Sequence, residues 1–237
     1  MLGLTLAARG ACEDSRLALE RALWTWRELG NQQGEGVTNA FLAQRSLWLG
    51  DPAAAQLFAE RAWELAHVNC QEKDFIRAAR LQGEAVLALG DYPLADERCH
   101  HALTRARTVN AIGEELPALI ALAELRRRQG DPKAARILLD DVWESAERGP
   151  YPLLHADAFN VLAQIERDAG NPPAAIAAAT EAYKKAWCDG PPFAYHWGLE
   201  KARAHLAALN APEPQLPPYD ESKFEPMPNS DTPPPTP

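Results

Sequence analysis

The side chains best suited to chemistry are Cys99, His100 and His101, a thiol and two imidazoles in succession. Such groups serve as zinc ligands or as parts of an activated nucleophile. Consecutive helical residues point about 100° apart, so these three cannot converge on one ion without a partner from elsewhere. Cys99 also shares a forty-residue column with Leu19, Ala59, Leu139 and Ala179, which makes it a core residue. His155, His196 and His205 lack a carboxylate or nucleophile at a diagnostic spacing, and neither G-x-S-x-G nor H-E-x-x-H occurs. The cysteines Cys12, Cys70, Cys99 and Cys188 form no CxxC pair and indicate neither a zinc site nor a disulfide framework. No GxxxxGKS or GxxxxGKT phosphate loop is present. The expectation is a protein with no catalytic residue, no metal and no cofactor.

A second group is basic. Arg77, Arg80, Arg127, Arg128 and Arg167 carry planar forks that bind carboxylates bidentately. Glu84 and Glu124 stand beside them and offer the competing outcome, in which they neutralise the arginines through surface pairs worth little energy.

The elements that position these residues follow from an internal repeat. Gly10, Gly50, Gly90, Gly130 and Gly170 recur every forty positions, and four of them open Gly-Asp-Pro, Gly-Asp-Tyr or Gly-Asn-Pro turns. The glycine ends one helix, the Asp or Asn caps the next, and proline fits its first turn. Five residues after each glycine stand Ser15, Ala55, Ala95, Ala135 and Ala175; twelve after it stand Ala22, Ala62, Ala102, Val142 and Ala182. Small columns of this kind let two helices approach closely, while Leu23, Trp63, Leu103, Trp143 and Tyr183 fill the adjacent large column. The pattern predicts helix pairs at 36–49 with 52–69, 72–89 with 92–109, 112–129 with 132–148, and 151–169 with 172–188. Residues 1–9 match the second half of a first helix, so the chain is expected to begin inside a repeat.

Three segments result: an array over 1–189 with an incomplete first repeat, a C-terminal capping helix within 190–209, and a Pro-rich tail over 210–237, extended or disordered. Tyr219, Phe224 and Met227 are the tail residues suited to lie along the array. A length of 237 residues with 46% hydrophobic and 24% charged residues fits a folded chain with a sizeable core. The net charge of -9 argues against general binding of nucleic acid. The N-terminus lacks the basic flank and apolar length of a secretory leader, and no apolar run approaches a membrane span. A soluble, cytoplasmic protein that binds no membrane is expected.

Leu-Gly or Leu-Ala in the first helix, as at Leu2-Gly3, Leu42-Ala43, Leu122-Ala123 and Leu162-Ala163, Gly-Asp-Pro or Gly-Asp-Tyr at the turn and two alanines in the second helix resemble the tetratricopeptide repeat over residues 1–189. The period of forty instead of the usual 34 resembles the extended repeats of bacterial signal-transduction ATPases of the STAND class. The fold this implies is all-α, a right-handed superhelical solenoid of antiparallel helix pairs. The resemblance places the first helices of the pairs on a concave face, where Gln44, Trp48, Arg77, Arg80, Glu84, Glu124, Arg127, Arg128, Asn160, Gln164 and Arg167 form the expected partner-binding groove. The carboxylate-clamp version needs asparagine in the column that here reads Gln44, Glu84, Glu124 and Gln164, so chaperone-tail recognition is not expected. The implied function is non-catalytic binding of a protein or peptide, an acidic segment above all, with Trp48 as apolar anchor. The alternative is the sensor or autoinhibitory region of a larger STAND-type ATPase, whose partner is another domain of the same protein. A regulatory subunit of an enzyme is a third reading.

Overall fold

The computed structural model describes residues 1–69, 71–145, 149 and 151–223. Among them the chain forms eleven α-helices and no strand. They are α1 (Leu2–Ala8), α2 (Cys12–Glu28), α3 (Gln32–Trp48), α4 (Pro52–Asn69), α5 (Glu72–Leu89), α6 (Tyr92–Thr108), α7 (Ile112–Arg128), α8 (Pro132–Ser145), α9 (Pro152–Asp168), α10 (Pro172–Trp187) and α11 (His196–Ala208). Consecutive helices pack as antiparallel pairs, an all-α solenoid.

The turns work as the sequence requires. Gly10, Gly50, Gly90, Gly130 and Gly170 all have φ between 70° and 90°, the left-handed region open to glycine. Asp51, Asp91 and Asp131 accept hydrogen bonds from the backbone N–H three residues on, at 3.0, 3.1 and 2.9 Å, and so cap α4, α6 and α8. One boundary differs from expectation, and the expected end of α8 at 148 lies outside the described residues. Helix α3 begins at Gln32, four residues before 36, because the Asn31 side chain accepts from Gly34 N–H at 2.8 Å and caps it there. Gly34 and Gly36 hid that first turn from a reading of helix propensity.

Odd-numbered helices from α1 to α11 pack on one another in sequence, whereas α2, α4, α6, α8 and α10 pack chiefly on the odd helices that flank them. The odd helices therefore form the inner layer. Helix α11 ends forty residues after α9, at Asn210 with φ 52°, and so is the first helix of a sixth pair. Its missing second helix is replaced by extended chain. There Trp187 Nε1 donates to the Pro217 carbonyl at 2.9 Å, Tyr183 donates to Glu213 at 2.9 Å, and Tyr219 packs on Phe193 at 4.6 Å. Phe224 and Met227 lie outside the described residues.

The two ends of the array meet. Trp197 Nε1 donates to the Ala7 carbonyl at 2.7 Å, Arg9 Nε donates to the Pro192 carbonyl at 2.8 Å, and the Arg9 guanidinium lies 4.4 Å over the Phe193 ring. The end of α1 thus touches the start of α11.

The small columns make the helix contacts. Ala55, Ala95, Ala135 and Ala175 are fully buried, as are Ala102, Val142 and Ala182. At Gly83 an added Cβ would sit 2.4 Å from Cys99 Sγ, which shows how near α5 and α6 run. Ala102→Leu is expected to overpack this contact and lower stability by roughly 1–3 kcal/mol, measured by urea denaturation; an unchanged midpoint would contradict the assigned column. Trp63 and Trp143 pack on Phe75 and Phe159 at 4.0 and 4.4 Å, as their large-residue column requires.

Candidate binding surface on the inner face

The tempting Cys99-His100-His101 run splits into three environments. Cys99 is fully buried against α5, and burial pushes its thiol pKa far up. His100 is exposed, with Nδ1 3.2 Å from Asp96. His101 packs on Trp63 and Phe75 at 5.8 and 5.5 Å. Among the described residues no group of three His, Cys, Asp or Glu side chains is placed to hold a metal ion.

The residues expected on the inner face of α3, α5, α7 and α9 fall into three groups, while Glu35, Glu72, Glu115, Arg126 and Glu166 of the same helices pair with the even helices. In the first, Arg80 of α5 donates to Glu84 one turn on and to Gln44 of α3 at 3.4 Å. Arg77 donates to Glu114 of α7 at 2.5 Å, and Glu114 also lies 4.0 Å from Arg80 Nε. The Arg80 and Glu114 side chains are only 8% and 9% exposed, so this pairing is held with little water.

In the second group, Arg127 grips Glu124 through two bonds of 2.7 and 2.8 Å, and Arg128 reaches the same carboxylate at 2.6 Å. Burial pushes the Glu124 pKa up, but the two arginines outweigh it and hold the carboxyl below its usual range. Arg127 also bonds Asp168 at 2.5 Å, and Arg128 donates to the Leu87 carbonyl at 3.1 Å. Gln164 is half-buried and Arg167 exposed on α9.

The third group closes the far side of the inner face from within. Trp48 packs edge-on against Tyr195 at 6.0 Å and stacks on Trp197 at 6.4 Å. Asn160 donates to the Gly198 carbonyl at 3.0 Å. Tyr195 bonds Asp157 at 3.0 Å, and burial raises the pKa of both. Trp48 and Asn160 therefore contact α11, the chain's own last helix, and are covered by it. The helix-face columns of the sequence place both residues inward but carry no sign that α11 returns onto them.

What remains open is a cavity of about 250 Å³ bounded by α1, α3, α5 and α7. Its walls are Leu4, Ala40, Phe41 and Leu81; its polar floor is Gln44, Arg77, Arg80 and Glu114. Arg80 Nε is buried and lacks a hydrogen-bond partner. With Glu114 4.0 Å away and almost no accessible surface, Nε lies behind the cavity wall, and the cavity presents the rest of the guanidinium. The expected residues Gln44, Arg77 and Arg80 come together in this cavity, while Glu124, Arg127, Arg128 and Gln164 belong to the neighbouring groups. Glu114, Phe41 and Gly113 line the cavity and were not anticipated. Glu114 stands one turn before Pro117, on the inward column, so extending that column by a turn finds it.

On the opposite end of the inner layer His205 of α11 is buried. Burial first, then Arg167, Lys201 and Arg127, lower its pKa to about 4. An unfolded histidine titrates near pH 6.5, so between about 6.5 and 4 the unfolded chain binds the additional proton. Stability is therefore expected to fall as pH drops through that window, by about 2–3 kcal/mol for this group. His155, also lowered by burial, acts in the same direction. Urea denaturation at neutral and mildly acidic pH checks this, with His205→Phe expected to flatten the dependence.

No helix among the described residues is long and apolar enough to cross a membrane. No model of a known protein family matches the chain, and no curated protein matches it either.

Proposed function

We propose that the chain is a non-catalytic binding scaffold of tetratricopeptide-like hairpins, and that its inner cavity takes a short acidic segment of a protein partner. The observation that carries this reading is the cavity itself, where Gln44, Arg77 and Arg80 stand among apolar walls. A carboxylate or peptide carbonyl accepts from the guanidinium of Arg77, the more exposed of the two arginines, and Phe41 and Leu4 supply contact area for an adjacent apolar side chain. Because the inner arginines already bond carboxylates, the segment is held by hydrogen-bond geometry and fit more than by net attraction. The forty-residue period favours a second reading, the sensor region of a STAND-type ATPase, in which the segment comes from another domain of the same protein.

Gly113 gives a clean test, because a Cβ there meets nothing within 4 Å and the residue lines the cavity. Gly113→Glu projects a carboxylate into the opening, and Gly113→Ala is the control. Both remove a flexible glycine from α7, so neither is expected to destabilise the fold. On an array of short acidic and neutral peptides, the protein and Gly113→Ala are expected to retain acidic sequences that Gly113→Glu loses. Identical retention by all three would sink the cavity as the site.

A further inference from the structure

The chain beyond α11 shows what the last helices recognise on their outer side. Asn210, at φ 52°, ends α11, and Pro212, Pro214, Pro217 and Pro218 keep the following residues out of a helix. This extended run lies on a face made by α10, α11 and the loop between them. The Glu213 carboxylate accepts from the Tyr183 hydroxyl at 2.9 Å and from Arg203 Nε at 3.1 Å. Leu216 is half-buried against the apolar cluster of α9, α10 and α11. The Pro217 carbonyl accepts from Trp187 Nε1 at 2.9 Å, and Tyr219 packs on Phe193 at 4.6 Å. Gly190 has φ 85°, and a Cβ on it would sit 3.0 Å from the Tyr219 backbone nitrogen, so the segment runs against bare backbone there.

These are the parts of a site for proline-rich peptides. The Tyr183 and Trp187 rings stack at 5.7 Å and turn a hydroxyl and an indole N–H toward the segment. A proline-rich chain is extended before it binds, has carbonyls with no internal partner, and so loses little entropy on an aromatic-lined surface. Arg203, whose guanidinium lies 5.8 Å from the centre of the Tyr183 ring, adds selection for a carboxylate. The tail sits lightly on this face. Pro212, Glu213, Gln215, Pro217 and Pro218 stay exposed, and of the described tail residues only Ala211 and Leu216 join the apolar cluster. Helix α10 beneath it, by contrast, buries Ala175, Ala178, Ala179, Ala182 and Ala186.

We propose that this face is a recognition site for an extended proline-rich segment of a partner protein, and that the chain's own tail occupies it in cis. The segment carries a carboxylate at i, an apolar side chain at i+3, proline at i+4 and an aromatic ring at i+6, the spacing of Glu213, Leu216, Pro217 and Tyr219. The tethered tail competes at an effective concentration of about millimolar, so it refuses weak matches and yields to strong ones. A separate protein fits better than a second copy. Only Ala211 and Pro212 lie between Asn210 and Glu213, too short a reach for another copy's tail to arrive without its array following. Among the described residues the site shares none with the lining of the inner cavity and does not rest on that reading.

A labelled peptide copying residues 211–222 probes the face in trans. In the full chain, Glu213→Ala with Leu216→Ser releases the tail and leaves the face intact. The released chain, checked for unchanged helicity by circular dichroism, is expected to bind the peptide roughly tenfold more tightly than the parent chain or better. Binding is expected to shift the Trp187 indole resonance, assigned through Trp187→Phe. Arg203→Glu in the released chain, or Glu213→Ala in the peptide, is expected to weaken binding by about tenfold. Equal binding by the parent and released chains, or none by the released chain, would overturn the proposal. Tail-dependent dimerisation of the parent chain in sedimentation would also overturn it, by making a second copy the occupant. Hydrogen exchange of the Trp187 indole in the parent chain needs no variant. It is expected to run about 100-fold faster than amide exchange in α7, because the tail leaves the face while the array stays folded. Exchange no faster than that of α7 would show a tail fixed in the fold and a site closed to any partner.

Discussion

Tyr195→Ala is expected to lower stability by roughly 3–5 kcal/mol, the range for truncating a buried aromatic side chain. Tyr195 is 3% exposed, packs against Trp48 and holds Asp157 through its hydroxyl at 3.0 Å. Truncation opens a cavity between α3, α9 and α11 and leaves the Asp157 carboxyl buried without its donor. Tyr195→Phe separates the two contributions. It keeps the ring and removes the hydroxyl, with an expected cost of about 1–3 kcal/mol. Because Tyr195 precedes Trp197 at the start of α11, the alanine variant should also loosen the junction with α1. Hydrogen exchange at the amides of α1 is then expected to rise far more than exchange in α5 and α7. Uniform acceleration across all helices would mean that the junction is not a separate unit of the array.

That junction marks the limit of what a one-dimensional pattern can show. The forty-residue glycine column reports local events, a left-handed residue and a cap, and every such event is encoded within a few neighbouring residues. Ala62, Ala102 and Val142 are legible for the same reason, since each packs against a helix adjacent in sequence. The Trp197 to Ala7 bond spans 190 residues and depends on small rotations accumulated over five pairs. Nothing in the neighbourhood of Trp197 encodes that sum. The same holds for Asn160, which has a polar side chain on the inward column and looks open until α11 places the Gly198 carbonyl against it. Side chains one turn from the expected column, such as Glu114, lie between these cases: the period locates them, and only the packing of α5 against α7 pairs them with Arg77.

Arg80→Ala is expected to have a comparable effect, about 3–5 kcal/mol, for a different physical reason. The loss of packing by its aliphatic stem is the smaller part. The larger part is electrostatic, because Glu84 loses its near partner and Glu114 keeps Arg77 alone. A carboxylate stripped of its cation in a partly dry site costs more than the pair gave when formed. Two further variants make the distinction measurable. Arg80→Met combined with Glu84→Met removes both charges while keeping volume, and stability is expected to return most of the way to that of the parent chain. Arg80→Lys keeps the charge but replaces the planar fork with a shorter, more strongly hydrated ammonium that loses the second nitrogen's contact with Gln44, so an intermediate loss is expected. Urea denaturation of the three variants ranks them. If the double methionine form is as unstable as Arg80→Ala, packing and not the orphaned carboxylate is the source of the loss. If it is stable yet no longer retains acidic peptides, Arg80 is dispensable for the fold and required at the floor of the cavity.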